Sequence, residues 1–307
     1  EYQVAFYCFS NRLFNLAYIV VCSLMIVLSG ATVYVITLGY NTIKSYIDSL
    51  ASDGEVETFT PTLYNSIITK YSYFSILLFI TGVLLLLFRN KITAIAVKYF
   101  SEFRDYYKEC FTKTLASFTR ESRLHQYTLL LIITAGISFR AQALFFPINY
   151  DEAFTFITYV SKPLFISLSN YSYPNNHLFH TLLSHISCAV FGTPTWAIRL
   201  PAFLAGVFLI PLSYLFAKYF FNKETALLTS AFIAVSGILI HHSSTARGYS
   251  LICIFFLASL IVVKTIIDYN NAGAWLLFIV LSALGFYTIP VFLYPYAIIN
   301  SWLLIQI

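Results

Sequence analysis

The sequence predicts an all-α, polytopic membrane protein, and three observations lead there. Of 307 residues, 59% are hydrophobic and only 10% are charged, whereas a soluble domain carries about 25% charged residues. The apolar residues gather in runs that approach or exceed the ~20 residues a helix needs to cross the hydrocarbon core, which points to helices rather than a barrel. Eight of the eighteen Lys and Arg residues fall between Arg89 and Arg123. In a membrane protein such clustering reports orientation, so the net charge of +5 implies no nucleic-acid partner.

Candidate spans cover residues 13–38, 72–88, 126–146, 177–191, 196–217, 225–241, 249–267, 273–289 and 291–307, each an apolar run bounded by polar or turn-forming residues. The loop 41–71 carries Asp48, Asp53, Glu55 and Glu57, and the next, 89–124, carries the basic cluster. The second loop is therefore expected in the cytoplasm. Span 126–146 then runs outward and delivers Asp151 and Glu152, in the stretch INYDEAF, to the extracytoplasmic surface.

Within the basic loop, Phe100, Phe103, Tyr107, Cys110, Phe111, Thr114, Leu115 and Phe118 recur at helical spacing among Lys98, Arg104, Lys108 and Lys113. Such a helix suits the inner interface, where anionic lipid satisfies its charges. It is read as a connector with no catalytic role. The chain divides near residue 124 into a two-span N-terminal unit, 1–124, and a membrane module, 125–307. Because the sequence opens without methionine and stops inside the apolar run SWLLIQI, it is expected to be part of a longer protein, with the module incomplete at its C-terminus. No removable signal peptide is expected. Cys8, Cys22, Cys110, Cys188 and Cys253 show no CxxC spacing and read as small core residues.

An acid at the outer end of a span is often a solvated cap, so Asp151 and Glu152 by themselves decide nothing. The segment that follows, AFTFITYVSKPLFISLSNYS, is too polar to span and is interrupted by Pro163. Phe154, Ile157, Leu164, Phe165 and Leu168 can seat it in the interface as a lid over the carboxylates. In YPNNHLFHTLLSHI, Pro174 breaks the lid, and Asn175, Asn176 and His177 bring hydrogen-bonding groups to the mouth of the next helix. Those groups suit an anionic or sugar ligand.

The stretches YDEAFTF, YPNNHLFHTLL, FGTPTWAIRLPAFLAGV and ARGYSL, in this order and spacing, resemble the lipid-carrier-dependent glycosyltransferases of the family-39 type, which include the protein O-mannosyltransferases and the aminoarabinose lipid A transferases. The resemblance covers roughly residues 126–260. It implies a GT-C-like helical bundle whose first catalytic loop is extracytoplasmic and carries juxtamembrane helices. It also implies transfer of a sugar, hexosyl or pentosyl, from a polyprenyl phosphate to an extracytoplasmic acceptor with inversion at the anomeric carbon. The partners implied are the polyprenyl-phosphate-linked donor, a protein, lipid or glycan acceptor, and membrane lipid. The expected localisation is a bacterial plasma membrane.

For that reaction an acceptor hydroxyl needs a carboxylate to take its proton as attack proceeds, and Asp151 is the candidate base. Polyprenyl phosphate is a good leaving group, so donors that stabilise its growing charge matter more than a partner acid. Arg247 is the leading candidate by charge and by its forked donors; Tyr249, His177 and Lys162 join it as donor-phosphate candidates. Glu152 either orients the neighbourhood of Asp151, binds the sugar, or is an exposed neighbour. Tyr150 and Tyr173 are candidates to stack on a sugar, or belong to the aromatic belt, and Asn175 and Asn176 are candidate substrate contacts.

Two features depart from the resemblance. The loop STARGYSL lacks the second acid that some relatives carry, and the histidines His177, His180, His185, His241 and His242 have no acidic or thiol ligands at matching spacing. No cofactor is therefore assigned, and a divalent metal stays an alternative that the sequence does not support. The second departure is one of parity. If 177–191, 196–217 and 225–241 each cross once, Arg247 arrives on the side opposite Asp151. Either one segment does not cross, with 177–191 the shortest, or Arg247 is not in the site. A transporter or flippase is the alternative reading, since Arg and His near span ends also line pathways, although the inverted repeats it predicts are not visible. A noncatalytic scaffold using the basic segment is the third.

Overall fold

The structure is a computed structural model that describes residues 2–48, 57–169, 171 and 173–306, with side chains described from Asn15 onward except Ile166. Asp53, Glu55 and the side chain of Cys8 lie outside the described residues. The described residues are mostly helical, with no strand among them. Five helices are long and apolar enough to cross a membrane, or six if a bent pair counts as one span. The chain is thus an all-α polytopic membrane protein, as the composition predicts. It forms two compact units, Glu1–Arg104 and Asp105–Ile307.

The first unit contains α1 (Tyr2–Thr37), α2 (Gly39–Asp48), α3 (Pro61–Leu87) and the beginning of α4 (Arg89–Thr119). Gly39 adopts φ +74° between α1 and α2, a left-handed turn that glycine allows without steric cost. The third helix begins well before residue 72, where the apolar run starts. Thr60 caps it by accepting from the Leu63 amide, and Pro61 occupies the first turn, where a missing N–H costs nothing. α1 and α3 run antiparallel: Ser75 donates to the Ser29 carbonyl at 3.0 Å and Tyr18 to the Leu85 carbonyl at 2.8 Å. Only 11% of each span is buried, so hydrocarbon is the solvent for most of their surface.

The second unit holds α5 (Arg123–Leu144), α6 (Tyr150–Thr155), a π-helical turn (Phe156–Val160), α7 (Leu164–Ser169), α8 (Leu178–Phe191), α9 (Thr195–Phe220), α10 (Lys223–Val235), α11 (Gly237–Ser243), α12 (Tyr249–Tyr269), α13 (Ala272–Thr288) and α14 (Leu293–Gln306). Long helices alternate between two ends of this unit. At one end Arg199, near the start of α9, donates to the carbonyls of Leu144, Phe146 and Pro147 just beyond α5. At the other, His125 at the start of α5 meets the Tyr214 hydroxyl at 2.9 Å, and Lys218 pairs with Glu121 at 2.9 Å. α5 and α9 are therefore antiparallel.

The parity conflict resolves in α8. Its Ser184 and Ser187 hydroxyls donate to the carbonyls of Ile198 and Ala197, in the first turn of α9, and His185 contacts the Val160 carbonyl. At its other end His177 accepts from the Gly248 amide, two residues from the Ala246 amide that binds Glu152, so both ends of α8 stay at the Leu144 end, and the segment 177–191 does not cross. Fourteen residues rise only ~21 Å, short of the ~30 Å hydrocarbon core. With α8 excluded, α9 leads away, the bent pair α10–α11 returns, and residue 247 arrives at the same end as residue 151. α12 then leads away and α13 returns, since Tyr287 donates to the Leu168 carbonyl.

The core of this unit lies between α9, α12, α13 and α14, around Val263, Phe255, Phe278, Phe292 and Ile299. Pro201 and Pro211 sit inside α9, which neighbouring helices in a membrane tolerate. The segment predicted as a lid folds as α6, the π-turn and α7, and it leaves Asp151 exposed rather than covered. Its Ile157 and Phe165 side chains are exposed, in the positions expected to seat it in an interface.

Candidate active site

Five connections and helix ends meet where α5 ends and α12 begins. A cavity of about 510 Å³ opens there, lined by Asn149, Tyr150, Asp151, Glu152, His241, His242, Thr245, Arg247 and Tyr249. Adjacent residues on a helix point about 100° apart, so the two carboxylates of α6 reach the cavity in different settings. Asp151 is exposed and faces the cavity; Glu152 is buried.

Glu152 is an anchor. Its Oε2 pairs with Arg199 Nη2 at 2.6 Å and accepts from the Asn149 amide at 2.9 Å; its Oε1 accepts from Arg199 Nε at 2.8 Å and from the Ala246 amide at 2.6 Å. The Arg199 guanidinium also binds the three carbonyls beyond α5, so carboxylate and guanidinium together tie α6, α9, the 145–149 connection and the 244–248 loop. Burial would raise the Glu152 carboxyl, but the hydrogen bonds from Arg199, Asn149 and Ala246 outweigh it and hold it below the usual carboxylate range. A charge-assisted forked pair of this kind is strong in a dry setting.

Arg247 approaches from the opposite wall. Its Nη1 donates to the Asn175 side-chain carbonyl, and its guanidinium lies 5.8 Å from the centre of the Tyr249 ring. Asn175 in turn donates to the Asp151 main-chain carbonyl at 3.3 Å. One amide thus links the stretch that carries Asp151 to the side chain of Arg247. Tyr249 stands between His242, 4.6 Å from its ring centre, and His177 at 5.1 Å.

His177 caps this arrangement as an acceptor: its Nδ1 receives the Gly248 amide at 2.7 Å. That requires a neutral ring, and burial first, then the neighbouring Arg247 charge, push its pKa down to about 2. Gly248 is needed for close approach, because a Cβ there would sit 2.5 Å from Thr288 Cγ2 and 3.3 Å from His177. Asn176 is fully buried, with its carbonyl accepting from Thr181 at 2.7 Å.

The structure therefore brings Tyr150, Asp151, Glu152, Arg247 and Tyr249 to one cavity, with Asn175 and His177 fastened to its walls. Lys162 is exposed in the lid and is not among the lining residues. Tyr173 packs edge-on against Phe154 at 5.5 Å, and Phe154 stacks on Tyr150. The residues that sequence reasoning did not single out are Arg199 and Arg140. A usable signal was there: each is an arginine inside an apolar run, which is costly unless it faces partners. Among the described residues no group of three or more His, Cys, Asp or Glu is placed to hold a metal ion.

The carboxylate and the guanidinium that share this cavity stand at helix ends of an all-α membrane bundle. Residues 176–306 match the model of the dolichyl-phosphate-mannose-protein mannosyltransferase family, a GT-C-type glycosyltransferase family. The match supports a membrane glycosyltransferase for this chain; Asp151 and Glu152 lie upstream of the matched stretch. No curated protein and no solved structure gives a significant match.

Proposed function

We propose that the chain transfers a sugar from a polyprenyl phosphate to an acceptor hydroxyl with inversion, using Asp151 as base and Arg247 at the leaving phosphate. The observation that carries this reading is that Asp151 and Arg247, distant in sequence, line the same cavity and are linked through Asn175. The acceptor oxygen attacks the anomeric carbon as its proton passes to the Asp151 carboxylate, and the bond to the carrier phosphate breaks on the opposite face of the sugar. Arg247 meets the charge that grows on the departing phosphate. Neutral His177 and buried Glu152 hold the 244–248 loop in place and move no proton.

Tyr150, Tyr249, His241 and His242 supply ring faces and imidazole nitrogens around the sugar, and Tyr173 braces Tyr150 through Phe154. Asn176 and Lys162 serve the lid: one donates to its Ser167 carbonyl from outside and the other is exposed on it. The basic α4 segment supports a cytoplasmic position for 89–124, and with it an extracytoplasmic position for the cavity.

The test is Asp151→Asn, purified into lipid and supplied with mannosyl, glucosyl and aminoarabinosyl polyprenyl phosphates. Loss of a general base predicts a fall in transfer of at least ~10²-fold with insertion and melting unchanged. Parental turnover by Asp151→Asn would refute the mechanism.

A further inference from the structure

The helix that returns the chain to the cavity is broken. α10 ends at Val235 and α11 begins at Gly237, with a bend of 61° at the break. Ser236 takes ψ 114°, which removes the next intrahelical donors and leaves the last carbonyls of α10 without helical partners. In a membrane no water is at hand to satisfy them.

Arg140 fills that role from another helix. Its side chain is 0% exposed although it carries a charge. Nη2 donates to the Ile233 carbonyl and Nη1 to the Ala234 carbonyl, both at 3.0 Å, while Nη1 also holds its own helix through the Gly136 carbonyl at 3.0 Å. Nε donates to the Ser243 hydroxyl at 3.2 Å, at the far end of α11. One planar fork thus grips both segments of the bent pair across the break. Its positive charge also lies at the negative end of the α10 dipole.

The packing around this grip leaves no slack. A Cβ on Gly206 would fall 1.9 Å from Ser243 Oγ and 3.2 Å from Arg140 Nε, and a Cβ on Gly136 would fall 2.4 Å from Ile210 Cδ1 and 3.0 Å from Ala234 Cβ. Glycine at both positions lets α5, α9 and α11 close around the guanidinium. What the bend delivers is the cavity wall: His241 and His242 on α11, and Thr245 and Arg247 in the loop that follows.

We infer that Arg140 is a positioning residue, a trans-helix cap that fixes the bend between α10 and α11 and so sets where His241, His242 and Arg247 stand in the cavity. The inference goes beyond the proposed transfer chemistry and does not depend on it. Lysine keeps the charge, but its three N–H donors radiate from one atom instead of a planar fork, so it does not reproduce the four contacts to Gly136, Ile233, Ala234 and Ser243.

The experiment places spin labels on cysteines introduced at Tyr127 and Ile238, both exposed, in a cysteine-free background of the full chain in lipid nanodiscs. The interlabel distance is then measured without substrate. Arg140→Lys and Gly206→Ala are each expected to broaden or shift the distance distribution. Turnover should fall by roughly 10²-fold, the cost of misplacing catalytic groups by ~1 Å, and added guanidinium ion should restore part of it in Arg140→Ala but not in Arg140→Lys. An unchanged, narrow distribution in both Arg140→Lys and Gly206→Ala would overturn the cap. A changed distribution with full turnover would overturn its positioning role. Because the distance needs no substrate, failure of the transfer chemistry leaves the first result decisive.

Discussion

Replacing Glu152 with glutamine separates anchoring from chemistry. The side chain keeps its shape, yet Arg199, 1% exposed and bound to three carbonyls, loses its only carboxylate among the described residues. Removing one partner of a buried ion pair costs about 3–5 kcal/mol, because the other charge is left uncompensated. For a domain of 150–250 residues each kcal/mol shifts the midpoint by about 2–4 °C, so Glu152→Gln should melt roughly 6–20 °C lower. The assay is thermal unfolding in lipid nanodiscs, followed by intrinsic fluorescence, with transfer measured well below the midpoint. Removing both charges together, as Glu152→Leu with Arg199→Met, should recover much of the loss, as an apolar replacement of a buried pair often does. The reasoning fails if Glu152→Gln melts like the parent while transfer collapses, because Glu152 would then act in the chemistry itself.

Two further outcomes follow from the same geometry. Arg247→Lys should express and melt as the parent but lose affinity for polyprenyl phosphate in a binding assay, because one point donor replaces the fork that holds Asn175 and, in the proposed mechanism, the phosphate; parental affinity would remove Arg247 from the donor site. His177, neutral in the fold and far below its ordinary value of 6.5, makes the protein sensitive to acid. Below pH 6.5 the unfolded chain takes up a proton that the native imidazole refuses, so stability is present above that value and falls by up to ~1.4 kcal/mol per pH unit beneath it. His177→Asn, whose side-chain carbonyl can still accept from Gly248, should reduce the slope of melting between pH 6.5 and 5, the rest being carried by His180 and His242, whose pKa burial also lowers, above the range where Glu152 begins to protonate. An unchanged slope would contradict the neutral ring.

Much of this protein is determined by the sequence alone. Helical membrane architecture follows from composition and run length, because hydrocarbon leaves a backbone few ways to satisfy itself, and the apolar runs mark the spans to within a few residues. The motif order around Asp151 and Arg247 carried the family resemblance, which the match over residues 176–306 supports. The parity conflict was also legible, with the short segment 177–191 named as its likeliest cause.

What the tertiary structure decided is which of two adjacent carboxylates at the cavity stays exposed and which is buried in its wall. Asp151 and Glu152 are chemically alike and differ by one helical step. Only the arrival of Arg199 from α9 and of the Ala246 amide from the 244–248 loop pulls Glu152 inward and leaves Asp151 exposed. The break at Ser236 was equally hidden, since TSAFIAVSGILIHH reads as one apolar run. Its bend is held by the guanidinium of Arg140, which lies on a different helix. Periodicity and local propensity report which surface of a segment is apolar; they carry no information about partners that the fold brings from far along the chain.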